Sequence, residues 1–380
     1  MKKRLTSTDI FVRSLCAIVF LIFSSSYLYF YQADLLAAKQ HVLSGGITHY
    51  DKQIGTIVIV LVLFVLQFLV SAIVRVPLFI QAITYLPSLL TLALLTDTEL
   101  DHGGKVFSPS WQWLMPLLLV IFFLVVWLSR KLSVRMSWLT PRKYFVRIVW
   151  LNLLALFVLM ALTCVLSNNN PTFHYRLEME AQLHRGDRES ALALARKQNR
   201  LDEAETMLLA YALAQDGRLG EKFFEFPVCG TAATLIPDST DQLTVVFPVK
   251  KIHQLTAIRP RGKADILKFL KISAALNKKK TPAPDYLLCG YLLEKNIDSF
   301  AQNVAQYYAL DEELPKHYRE ALTLYAHQIG HPVLAYQDSA LASSYKRFDN
   351  IANAQKSSAD GIIQGKNEFG DTYWWYYYSK

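Results

Sequence analysis

Five apolar runs separated by short polar loops constrain this chain more than any other feature. They fall at about 12–31, 54–74, 78–95, 111–128 and 146–166. Each spans about 18–21 residues, enough at about 1.5 Å per residue to cross a hydrocarbon core about 30 Å thick. They predict a bundle of five transmembrane helices over residues 1–166 and leave 167–380 as a second domain.

The basic residues predict which way the bundle is inserted. Lys2, Lys3, Arg4 and Arg13 precede the first run, and Arg75 separates the second from the third. Arg130, Lys131, Arg135, Arg142, Lys143 and Arg147 fill the connection to the fifth. On the other side Lys39 and Lys52 are dilute, and Asp97, Glu99 and Asp101 outnumber Lys105. Lys and Arg close to span ends stay cytoplasmic. The N-terminus is therefore expected inside, with everything after Leu166 outside. The first run is longer than a signal-peptide core and ends in Tyr27, Tyr29, Phe30 and Tyr31, so it is read as an uncleaved anchor.

Chemistry is less legible. No Asp, Glu or His stands at mid-depth in a run, where a transporter or proton relay would place one. Gln67, Gln81 and Asn152 are expected to bond between helices, and Pro87 and Pro116 to bend theirs. The loop at 96–110 holds Asp97, Glu99, Asp101 and His102, a weak candidate for a divalent ion beside the membrane. No hydrolase, metalloprotease, P-loop or dinucleotide motif is present, so no catalytic residue and no cofactor are expected. The net charge of +9 sits largely in the cytoplasmic loops, which argues against a nucleic-acid partner. Cys229 and Cys289 in the exported half are read as free thiols or, in an oxidising compartment, a bridge.

Beyond Pro171 the pattern turns to paired amphipathic helices. Segments 175–185 and 189–198 flank Gly186-Asp187, and 202–215 leads to Asp216-Gly217. Segments 285–295 and 298–308 flank Asn296, and 315–328 leads past Gly330 to a helix through Ala342. Asn296 to Gly330 is a step of 34, the period of tetratricopeptide helix pairs. Ala191, Ala301 and Ala335 each lie five positions after a turn, where a small side chain lets helices approach. The expectation is an all-α fold: a five-span bundle followed by a tetratricopeptide-like α-solenoid over 167–380. A basic insertion at 223–280 interrupts it, with a strand-like run at 243–249 and a helix at about 264–276. Its lysines suit anionic headgroups or an acidic partner. The tail at 373–378, six consecutive aromatics, suits either a membrane interface or a cap on the helical array.

The segment 313–325 (ELPKHYREALTLY), together with 369–378 (FGDTYWWYYY), resembles uncharacterised multi-pass membrane proteins of the Bacteroidota. That resemblance implies a Gram-negative inner membrane with the helical domain in the periplasm, and transfers no catalytic residue. The function expected is a membrane-anchored interaction scaffold whose partners are membrane lipids and another envelope protein. The alternative is a polytopic enzyme or transporter of envelope lipids or glycans.

Overall fold

The computed structural model describes residues 7–74, 76–97, 110–135, 145–238, 243–260, 265–276, 281–310, 313–328, 336, 338–354 and 359–379. Among those residues all regular structure is helical and no strand occurs. The chain forms two compact units, Met1–His174 and Tyr175–Lys380.

In the first unit α1 (Ser7–Ser26) continues through a π turn (Tyr27–Tyr31) and is followed by α2 (Ala33–Leu43) and α3 (Lys52–Ile73). A 3-10 segment (Leu78–Tyr85) leads into α4 (Leu86–Thr96), and α5 (Trp111–Arg135) and α6 (Phe145–Leu166) complete the unit. Five stretches are long and apolar enough to cross a membrane: Ser7–Tyr31, Lys52–Ile73, Leu78–Thr96, Trp111–Leu132 and Phe145–Leu166. Phe20, Leu63, Tyr85, Leu89 and Leu156 fill the interior, while Ile57, Phe123, Trp150 and Phe157 stand exposed on the outside. Contiguous outward apolar surface of this kind needs lipid rather than water against it.

Two sequence expectations shift here. Arg13, read as preceding the first span, lies within α1 and donates to Ser71 Oγ at 3.3 Å. Its long stem lets the charged head reach away from the apolar face. The third span is distorted ahead of Pro87, not at it: Ile80 has non-helical φ −128° and ψ 24° inside the 3-10 segment. Pro87 sits in the first turn of α4, where a missing N–H costs nothing. Asn152 of α6 answers the loosened backbone. Its Nδ2 donates to the Leu78 carbonyl at 2.9 Å and its Oδ1 accepts from the Ala82 amide at 2.8 Å. In lipid such groups must be satisfied internally.

The helical region continues as α7 (Pro171–Arg185), α8 (Arg188–Arg196), α9 (Glu203–Gln215), α10 (Leu219–Lys222) and α11 (Ala232–Leu235). Next come α12 (Lys250–Thr256), α13 (Ile266–Leu276), α14 (Ala283–Leu293) and α15 (Ile297–Val304). Last are α16 (Lys316–Gln328), α17 (Ser339–Ala354), α18 (Ala359–Phe369) and α19 (Tyr373–Tyr378). The turns follow the sequence closely. Gly186 adopts φ +86°, which only glycine takes without strain, and Asp187 then caps α8 by accepting from Ser190 N. After α14 the left-handed residue is Lys295, with φ +58°, and Asn296 is the cap, accepting from Ser299 N. Asn296, read as the turn itself, is thus one step past it. The Arg-Gly-Asp triplet at 185–187 is consumed by the first of these turns.

The core differs from that of a simple row of pairs. α9 is buried from Ala204 to Ala214 and α14 from Tyr286 to Leu293, on every side of each helix. α14 packs against α9, α10, α11, α12, α13 and α15, so the insertion at 223–280 is part of the core rather than an appendage. Gly220 of α10 lies so close to the Tyr318 ring of α16 that an added Cβ would fall 2.5 Å from it.

The strand-like run at 243–249 is not a strand. It is an irregular turn, and its successive amides find a single carboxylate instead of a neighbouring strand. Among the described residues after Gln328 a helix begins at Ser339, where Asp338 Oδ1 accepts from Ala340 N and Leu341 N. Gly330 and Ala335 lie outside the described residues, as do Arg75, Arg142, Lys143 and Lys278 to Lys280. Cys229 and Cys289 are both free: Cys289 Sγ contacts Tyr318 Oη at 3.5 Å, and Cys229 sits beside Thr206.

Candidate functional site

Of the acidic loop read as a weak metal candidate, Glu99, Asp101 and His102 lie outside the described residues. Asp97 is the C-cap of α4, and its carboxylate accepts a short hydrogen bond from the Trp111 indole at the start of α5. Lys39 of α2 donates to the Leu95 carbonyl at 3.2 Å. Burial pushes the Lys39 amine down to about 8, against the pull of Asp97. Beside them Thr96 Oγ1 meets Ser167 Oγ at 2.8 Å, and Gln32 Nε2 donates to Tyr27 Oη at 2.9 Å. This end of the bundle is therefore tied together by polar side chains. Among the described residues no group of three or more His, Cys, Asp or Glu could hold a metal ion.

The buried ionisable groups of the helical unit were not legible as a set, because each partner lies far along the chain. Glu180 of α7 is fully buried, and its Oε2 accepts from the amides of Val245, Val246 and Phe247 at 2.7, 2.6 and 3.1 Å. Burial pushes its carboxyl up to about 7, opposed by those amides and by Arg176. Asp285 Oδ1 receives the hydroxyls of Tyr308 and Tyr318 at 2.5 and 2.9 Å, and burial raises its pKa in spite of them. His317 Nε2 accepts from Phe224 N at 3.2 Å, which leaves Nδ1 to donate to Glu320 Oε2 at 2.9 Å. Each of these groups fastens a distant segment, and each is turned inward.

The tail settles between its two sequence readings as a cap. Tyr373, Trp374 and Tyr376 are buried, and the Tyr373 and Tyr376 hydroxyls donate to the Leu292 and Leu293 carbonyls at 3.1 and 2.8 Å. Those carbonyls belong to the last turn of α14, where the Leu292 carbonyl also accepts from Lys295 N at 3.0 Å, so the tail adds to the hydrogen bonds that end the helix. Trp374 packs edge-on to Tyr345 and beside Phe348 and Phe369.

Among the described residues, two open clefts lie on the surface of this unit. One, of about 330 Å³, lies along α16 and the start of α17, lined by Thr323, Ala326, His327, Tyr336, Asp338 and Ala342. The other, of about 440 Å³, runs along α12 and is lined by Lys250, His253, Gln254, Ile258 and Arg259. The first offers an aromatic ring, an acid and an imidazole above small side chains.

A set of helices long and apolar enough to span a membrane, followed by a helical unit with surface clefts, defines the class of protein. The chain belongs to a family of unknown function, DUF6057, whose model matches residues 102–255 and 249–380. No curated protein and no solved structure matches it.

Proposed function

We propose that this chain is a membrane-anchored interaction scaffold of a bacterial envelope. On this reading five helices hold it in a Gram-negative inner membrane, with the N-terminus inside and the tetratricopeptide-like helical unit in the periplasm. The observation that carries the reading is the cleft along α16 and α17, open to solvent beside buried groups that all serve the fold. Helix pairs joined by left-handed turns are the frame on which such clefts bind extended peptides or helices. The partner expected is another envelope protein.

The test is a photo-crosslinker at Ser339, an exposed position on the rim, in the full chain in its own membrane. A discrete adduct that disappears in Ala342→Arg, where the new side chain fills the cleft, supports the scaffold. Equal adducts in both proteins contradict it.

A second reading, a polytopic enzyme or transporter of envelope lipids or glycans, draws on the first unit. Its third span is broken at Ile80, and the buried Gln81 leaves Oε1 without a hydrogen-bond partner. Non-helical backbone at membrane depth accompanies substrate sites in transporters. Changing Asp97, Glu99 and Asp101 together to Asn separates the two readings. The scaffold tolerates that change at normal expression and the Ser339 adduct survives, whereas a metal-dependent site at the loop is abolished.

A further inference from the structure

Helix α13 presents a face that the fold leaves uncovered. Ile266, Leu270, Ser273 and Ala274 are buried, on the side that packs against α14. On an adjacent flank Phe269, Ile272 and Leu276 are 43%, 60% and 77% exposed, three large apolar side chains within two turns. Lys268 and Lys271 stand exposed beside them. The only acid between residues 250 and 280 is Asp265, against ten lysines and arginines. Asp265 pairs with Lys268 at 3.2 Å across an exposed contact, too weak to cancel that excess.

We propose that α13 is a membrane-surface helix, seating Phe269, Ile272 and Leu276 in the interface of an anionic bilayer. Lysines flanking large apolar side chains on one face are what an interfacial helix needs: the apolar groups enter the headgroup boundary and the cations meet phosphates. A polynucleotide would use the cations and leave the apolar side chains in water. Only residues 167–170 separate α6 from α7, so the tether keeps lipid at high local concentration, and weak attraction suffices.

The experiment uses the full chain, with Cys164 and Cys229 changed to Ser and Leu276→Cys carrying a polarity-sensitive dye, reconstituted in vesicles. In vesicles with about one third phosphatidylglycerol the dye emission shifts to the blue and is quenched by a lipid-borne quencher. In purely zwitterionic vesicles, or with Lys268→Glu and Lys271→Glu, the shift is lost. Each lysine removed weakens the association about fivefold. Three results overturn the proposal. One is the same emission in both kinds of vesicle, and another is unhindered quenching by aqueous iodide. The third is a shift that grows with protein-to-lipid ratio, which would mean that a second copy covers the face.

Discussion

The Glu320 carboxylate accepts the backbone amide of Tyr373 at 2.7 Å, joining the middle of the fourth-last helix to the start of the last. The same carboxylate accepts a hydrogen bond from His317 Nδ1, and the Glu320 carbonyl accepts from the Trp374 indole at 2.8 Å. One residue thus fastens the aromatic tail, and the tail in turn satisfies the end of α14.

Removing the tail is therefore a core mutation and not a trim. Trp374→Ala is expected to cost about 3–5 kcal/mol, as for other buried large aromatics. Ending the chain at Gly370 is expected to destabilise the helical unit by more, because it also removes Tyr373 and Tyr376, whose hydroxyls donate to the Leu292 and Leu293 carbonyls. Thermal unfolding of the full chain in detergent checks both. Unchanged unfolding on truncation contradicts the cap.

Glu180 gives the helical unit a pH dependence with a definite sign. Its carboxyl is raised from the ordinary 4.5 to about 7, so the folded state holds the proton more tightly than the unfolded chain. Stability from this group is full below about 4.5 and is lost as the pH rises through about 7. Glu180→Gln keeps an acceptor for the three amides and never ionises. The native chain should lose stability relative to Glu180→Gln between pH 5 and pH 8.5, and parallel curves would contradict this. Glu180→Ala should cost about 1–3 kcal/mol for each amide left buried and unpaired.

How much of this was legible in the sequence depends on the reach of each interaction. The spans, and the turns at Gly186 and Gly217, follow from local pattern, since length, hydropathy and a left-handed residue are local properties. The run at 243–249 reads as a strand because Val245, Val246 and Phe247 favour extended backbone. What decides its shape is Glu180, sixty-five residues upstream of Val245, which no periodicity reveals. Asn296 reads as the turn because asparagine serves turns and caps alike, and Lys295 carries no sign that it will adopt positive φ. The clefts stayed hidden because their walls come from segments whose spacing is set by packing.

Asn152 supports the broken start of the third span, so Asn152→Leu should loosen it by about 0.6–2 kcal/mol, in the range of polar contacts between membrane helices. Faster proton exchange at the Ala82 amide in detergent checks this. Exchange unchanged from the native protein would mean that another group satisfies the amide.

Small residues behind the turns are the other packing claim. Ala191 and Ala301 are both buried, and replacing either with Leu should cost about 1–3 kcal/mol through overpacking. Chemical unfolding of the full chain measures it. A neutral outcome at both positions would mean that the helices do not meet there.

The central claim is that the helical unit is delivered across the membrane, and reporter fusions test it most directly. Alkaline phosphatase joined after Asn170 or Lys380 should be active, and joined at Arg135, in the basic connection before the fifth span, it should be silent. A phosphatase that is silent at Lys380 and active at Arg135 would reverse the orientation and contradict the account.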